Sequence, residues 1–276
     1  MINTVDRNKA AHLYMVSIII IGWGLVFFSF INFAPTSFSI SQLLFLIVLL
    51  FICEYFPIPV PKGHSVLTFP ILYIIYVLFN IEITVVVYAC IVLVVNALHK
   101  RPFRSILFNP AQLVLSFFTG HLLVHMTMEK VTNYVVSPLW IEIFTLFLFI
   151  TCFYLINNIL VDVVLLIRPE RYSLSLWLQK GQAEFISYVI SFIYGTLSHI
   201  LGSQNRGEID TIALFFFFSP IVALSLLSSI IARLNNEKNR LKALFQFSSE
   251  LNKAIPVKEW KSLITKMLQR VIYYDE

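Results

Sequence analysis

Apolar residues run in long blocks along this chain, at 12–33, 38–56, 65–79, 81–98, 105–125, 138–161, 182–201 and 210–232, with short polar breaks between them. Most blocks reach the roughly 20 residues that a helix needs to cross about 30 Å of hydrocarbon. The pattern predicts an all-α fold: a polytopic membrane helix bundle of about eight spans over residues 1–232, with a short cytoplasmic helical tail. The third block is short and carries Pro70, and only Asn80 separates it from the fourth, so a tight hairpin or a re-entrant pair is expected there. Either would keep both outer ends on one side and leave the remaining topology unchanged.

Composition supports lipid as the solvent. Of 276 residues, 58% are hydrophobic and 13% charged, at a mean hydropathy of +0.82. A soluble domain of this size has no interior large enough for so much apolar surface. Arg7 and Lys9 before an apolar run imitate a signal peptide, but the run at 13–33 is too long and Pro35 spoils a cleavage site, so a retained helix is expected.

Charge then sets the orientation. With the N-terminus inside, eighteen of the 20 Lys and Arg residues become cytoplasmic, and only Lys130 and Arg206 stay outside. The expected location is the bacterial plasma (inner) membrane, with both termini cytoplasmic and the lipid bilayer as the first partner. Most of the net charge of +5 sits after residue 232, beside an anionic leaflet, and no basic patch with interleaved aromatics suggests nucleic acid. Cys53, Cys90 and Cys152 share no motif spacing and read as small core residues. Few glycines, eight in all, and no convincing GxxxG pattern argue against a densely packed channel bundle.

Polar residues inside the spans are the candidates for chemistry. Glu54, Asp162 and Glu184 fall near the cytoplasmic ends of their blocks, and Glu82 and Glu142 near the outer ends. Asn96, Asn109, Gln112, Asn157 and Asn158 cluster toward the inner halves of the fourth, fifth and sixth blocks. Hydrogen bonding between helices accounts for them simply; a small polar pocket is the sharper alternative. His121 and His125 stand four apart on one helix face, a spacing able to hold a metal or to sense protons. Without a third ligand, two interfacial histidines are the simpler reading. The "NPA" at 109–111 is similar to the aquaporin signature but occurs once only, and a proline near a helix start is ordinary. No phosphate loop, HExxH or GxSxG is present, so neither catalysis nor a cofactor is expected.

The tail carries the most distinctive pattern. Counted in steps of three and four from the last block, the seam is Leu227, Ile230, Leu234, Glu237, Leu241, Leu244, Ser248, Leu251 and Ile255. Seven of these nine are apolar, and their phase continues unbroken from the last span into water. That predicts a signalling helix over 233–255 that pairs with a second copy, rather than an amphipathic helix lying on the bilayer. After Pro256, Val257, Trp260, Ile264, Met267, Leu268 and Val271 form one apolar face in need of a partner.

The stretch "LKALFQFSSELNKAIPVKEWKSLITKMLQRVI" at 241–272 resembles the opening two helices of a GAF domain. Upstream, "HKRPFRSILFNPAQ" at 99–112 and "SVLTFPILYIIYVLF" at 65–79 resemble the bacterial membrane sensor modules that precede GAF, GGDEF diguanylate cyclase or HD-GYP domains in cyclic-di-GMP signalling proteins. The resemblance implies that 256–276 is the incomplete start of a GAF domain and that the tail is a cut connection to a cytoplasmic output domain. The GAF sheet and every output motif are missing, so no catalytic or nucleotide-binding residue is carried over. The expected function is sensing or anchoring in signal transduction. A small-solute permease with a regulatory tail is the first rival, and a structural protein recruiting a partner through 257–271 is the second.

Overall fold

The computed structural model describes residues 4–32, 39–60, 63–131, 138–168, 174–202 and 211–252. Among them are α1 (Thr4–Ile31), α2 (Ile40–Tyr55), β1 (Ile58–Val60), β2 (Gly63–Ser65), α3 (Phe69–Leu98), α4 (Phe103–Val131), α5 (Pro138–Ile167), α6 (Leu174–Gly202) and α7 (Thr211–Asn252). Among the described residues the fold is helical except for one β-hairpin of two three-residue strands, paired Ile58 to Ser65, Pro59 to His64 and Val60 to Gly63. Two compact units divide the chain, Met1–Leu226 and Leu227–Glu276; of the second, only the later part of α7 is described.

The eight apolar blocks fall on seven helices among the described residues. Five are long and apolar enough to cross a membrane: 7–31, 69–98, 103–129, 139–167 and 213–246. The apolar helix α2 is shorter, at 16 residues. The helix α6 has the length but is not among these five. Large apolar side chains such as Phe27, Phe28, Phe30, Leu155 and Phe216 stand well exposed along these helices. A surface like that is stable against lipid tails rather than water.

The break expected at Asn80 is present, and it makes a hairpin. Tyr88 hydrogen-bonds the Thr68 side chain. In one straight helix they would stand about 30 Å apart, so α3 folds back on itself as a short arm, 69–79, and a longer one, 81–98. Asn80 itself lies at φ 76° and ψ 175°, a conformation that glycine adopts freely and other residues resist. Its Oδ1 accepts from the Ile83 N–H at 3.2 Å, capping the longer arm, and its carbonyl accepts from Thr84 Oγ1 at 2.6 Å.

Substitution of Asn80 separates these two roles. Asn80→Ala loses the cap in a strained backbone and is expected to lower stability by about 1–2 kcal/mol. Asn80→Gly loses the cap but relieves the strain, and is expected to melt closer to the parent in detergent. Glycine melting below alanine would remove the conformational argument.

The short arm is the centre of the bundle. Phe69, Pro70, Ile71, Leu72, Tyr73, Ile74 and Ile75 are all buried. An arm apolar all round can be satisfied on every side only by other helices or by lipid, and here helices surround it. Phe69 sits among Phe117, Phe149, Phe153 and Tyr154, with ring centroids 5.0 to 6.4 Å away. Helix geometry leaves the arm's first N–H groups without intrahelical acceptors, and Pro70 removes one of them. The β-hairpin just before it pairs its own backbone and packs on α6.

Elsewhere α1 crosses α4 closely. A Cβ placed on Gly22 would lie 2.6 Å from the Ala111 Cα and 2.7 Å from its carbonyl carbon. Next to this contact Pro110 deprives the Ile106 carbonyl of its helical donor, and Trp23 Nε1 donates to the Leu107 carbonyl at 3.1 Å. The "NPA" triplet therefore serves a helix crossing. A single glycine against a backbone is enough for one close approach. The expectation for the cysteines also needs correction: Cys53 is buried, but Cys152 is only partly covered and Cys90 is exposed on its helix.

Candidate functional site

Two polar zones sit at opposite ends of the first unit. At one end the turn at Asn80, the end of α4, the start of α5 and the end of α6 come together. Tyr73 from the short arm hydrogen-bonds His199 Nε2 at 3.0 Å, and His199 Nδ1 lies 3.4 Å from Glu142 Oε2. When Nδ1 carries the proton and donates to the Glu142 carboxylate, Nε2 is left to accept from the Tyr73 hydroxyl. Three elements thus form one carboxylate–imidazole–phenol series.

A second pair stands beside it. Tyr76 and His121 Nδ1 are 2.8 Å apart, and the rings of Tyr73 and Tyr76 are 6.0 Å apart. Glu82 acts electrostatically on both Tyr76 and His121. His125 follows, its ring 6.3 Å from His121, and its Nδ1 lies 3.3 Å from Glu129 in an exposed i,i+4 pair. Together these groups can accept, hold and pass on protons between helices. As a metal site the histidine pair gains nothing: among the described residues no three His, Cys, Asp or Glu side chains are grouped to hold an ion.

Neither His199 nor the two tyrosines were singled out in the sequence, and no local signal names them. His199 lies 126 positions from Tyr73. Only the shared end of several apolar blocks points toward their meeting.

The opposite end carries the amides. Asn109 Nδ2 reaches Asn96 Oδ1 at 3.5 Å, joining α3 to α4. Asn96 and Gln112 are buried, and Asn96 Nδ2 and Gln112 Oε1 find no hydrogen-bond partner among the described residues. Asn158 instead hydrogen-bonds Glu184 across α5 and α6, where Lys180 joins Asp162 at 2.5 Å and Glu184 at 3.6 Å. Asn157 Oδ1 and Asn158 Oδ1 are buried, with no hydrogen-bond partner among the described residues. The hydrogen bonds described for the five amides therefore belong to two sets, one on α3 and α4 and one on α5 and α6. Near the first set, Glu54 Oε2 is buried without a hydrogen bond, and Arg101 is close enough to act on it electrostatically. His99, just beyond α3, is held below the usual histidine range by burial and then by the Arg101 charge. Its ring lies 5.0 Å from Tyr55.

Along the tail, Leu227, Ile230, Leu234, Leu241 and Leu244 are each at least half exposed. Leu251 belongs to α7, but its side chain lies outside the described residues, as do Ile255 and the whole stretch 256–276. No known protein family, no curated protein and no solved structure matches the chain.

Proposed function

We propose that this chain is the membrane-embedded sensory or anchoring region of a bacterial signal-transduction protein. It would sit in the plasma (inner) membrane in about eight passes with both termini cytoplasmic, the hairpin arms of α3 counting as two. A stimulus would change the packing of the spans, and α7 would carry that change to a cytoplasmic output domain of the cyclic-di-GMP type. The observation that carries this reading is the seam of α7. Five leucine and isoleucine residues stand exposed in register on a helix of 42 residues, about twice what a bilayer requires. On a helix this charged, such a stripe is best buried against a second copy of itself. The Glu142–His199–Tyr73 series, with Tyr76 and His121 beside it, is the natural place for the stimulus to act, because both pairs join the central arm to an outer helix.

The test is one of helical phase. Fused at Glu276 to an intact GAF and diguanylate cyclase output, the chain should respond to insertions between Ala232 and Arg233. One alanine rotates everything downstream by about 100° and should lock or scramble the cyclase; seven restore the heptad phase and should largely preserve it. A permease with a regulatory tail predicts no phase dependence. If both insertions are silent, the signalling reading fails.

A further inference from the structure

Where α1 and α4 begin, a cleft of about 470 Å³ opens between them, lined by Asn8, Lys9, His12, Leu13 and Arg104. We propose that it is a binding site for the headgroup of an anionic phospholipid, with the phosphate as the recognised group. Among the described residues, the lining holds three basic side chains and no acidic one. On α1, Asn8 and His12 are one turn apart, as are Lys9 and Leu13, and Lys9 stands three residues before His12. One helical face therefore offers an amide, an ammonium and an imidazole together. Arg104 closes the cleft from α4 with a guanidinium suited to two phosphate oxygens.

Helix geometry adds to this charge. The first hydrogen bonds of α4 run from the Ser105 and Ile106 N–H groups to the Pro102 carbonyl. The preceding N–H groups, at the positive end of the helix dipole, are left for an outside acceptor.

The source of the phosphate follows from the cleft's surroundings. The apolar blocks of α1 and α4 begin at residues 12 and 105, so the cleft lies beside the charged ends of both, where hydrocarbon gives way to water. Leu13 on its wall is 69% exposed, and Phe103 beside Arg104 is 74% exposed. Acyl chains cover such residues at the same time as the basic side chains hold the headgroup, which a free phosphate cannot do.

The test uses the full chain in nanodiscs of mixed phosphatidylglycerol and phosphatidylcholine, released for native mass spectrometry. The parent protein should retain phosphatidylglycerol in preference to phosphatidylcholine. Lys9→Gln with Arg104→Gln should cut that preference by about thirtyfold, from two lost surface cations. Lys238→Gln with Arg240→Gln, on α7, should leave it intact. Millimolar inorganic phosphate should not displace the lipid; displacement would make this a free-phosphate site and overturn the assignment. Equal retention of the two lipids by the parent protein would also overturn it, as would a full preference in the Lys9 and Arg104 variant. The parent measurements need no variant to fold.

Discussion

Phe69→Ala is expected to lower the melting temperature of the detergent-solubilised protein by about 10 °C, the shift that corresponds to about 3 kcal/mol in a chain of this length. Phe69 is 2% exposed and is surrounded by rings from α4 and α5. Buried phenylalanines cost about 3–5 kcal/mol to truncate in water-soluble proteins. Here the lower end of that range applies, because lipid is as apolar as the bundle core and only the packing contacts are lost. Phe27→Ala supplies the control. Phe27 is 66% exposed on α1, so its removal should shift the melt by little. If the two variants melted alike, the short arm of α3 would not be the centre of the bundle.

Gly22→Ala should destabilise by about 1–3 kcal/mol or more, since the added methyl meets backbone atoms of Ala111 that cannot rotate away. To make room, α1 and α4 would have to separate, and Trp23 would lose its bond to the Leu107 carbonyl. Shortening Ala111 to glycine should not rescue the variant, because the clash is with main chain rather than with a side chain. Gly24→Ala, two residues on, has nothing within 4 Å of the new carbon and should be neutral or slightly stabilising through better helix propensity. Circular dichroism melts of the three variants would read the contrast. A Gly22→Ala variant as stable as Gly24→Ala would mean that the close crossing is absent.

Both results turn on contacts that no local pattern announces. The histidine end shows the same thing in its chemistry. His121 and His125 drew notice because their spacing put them on one face of α4, yet His121 pairs with Tyr76 from α3, and His125 with Glu129 of its own helix. The amides read first as hydrogen bonding between helices, with a shared pocket as the alternative, but which helices they join could not be read: Asn96 and Asn109 join one helix pair, and Asn158 belongs to another with Glu184. Depth along a span can be read from position in an apolar block, whereas the rotation of each helix about its axis cannot.

The sequence by itself determined the helical character, the lipid solvent, the approximate place of each apolar helix, the break at Asn80 and the concentration of basic residues in the polar breaks and the tail. All of these follow from block length, charge counts and backbone rules, which act locally. Only the tertiary structure decided that 69–75 is enclosed, that Gly22 meets Ala111, and that Tyr73 and Tyr76 meet histidines from two different helices. The physical reason is that in lipid a helix facing protein and a helix facing hydrocarbon are both apolar. Hydrophobic periodicity, which in water marks the buried face, carries almost no such signal here, and shape complementarity and a few interhelical hydrogen bonds choose the neighbours.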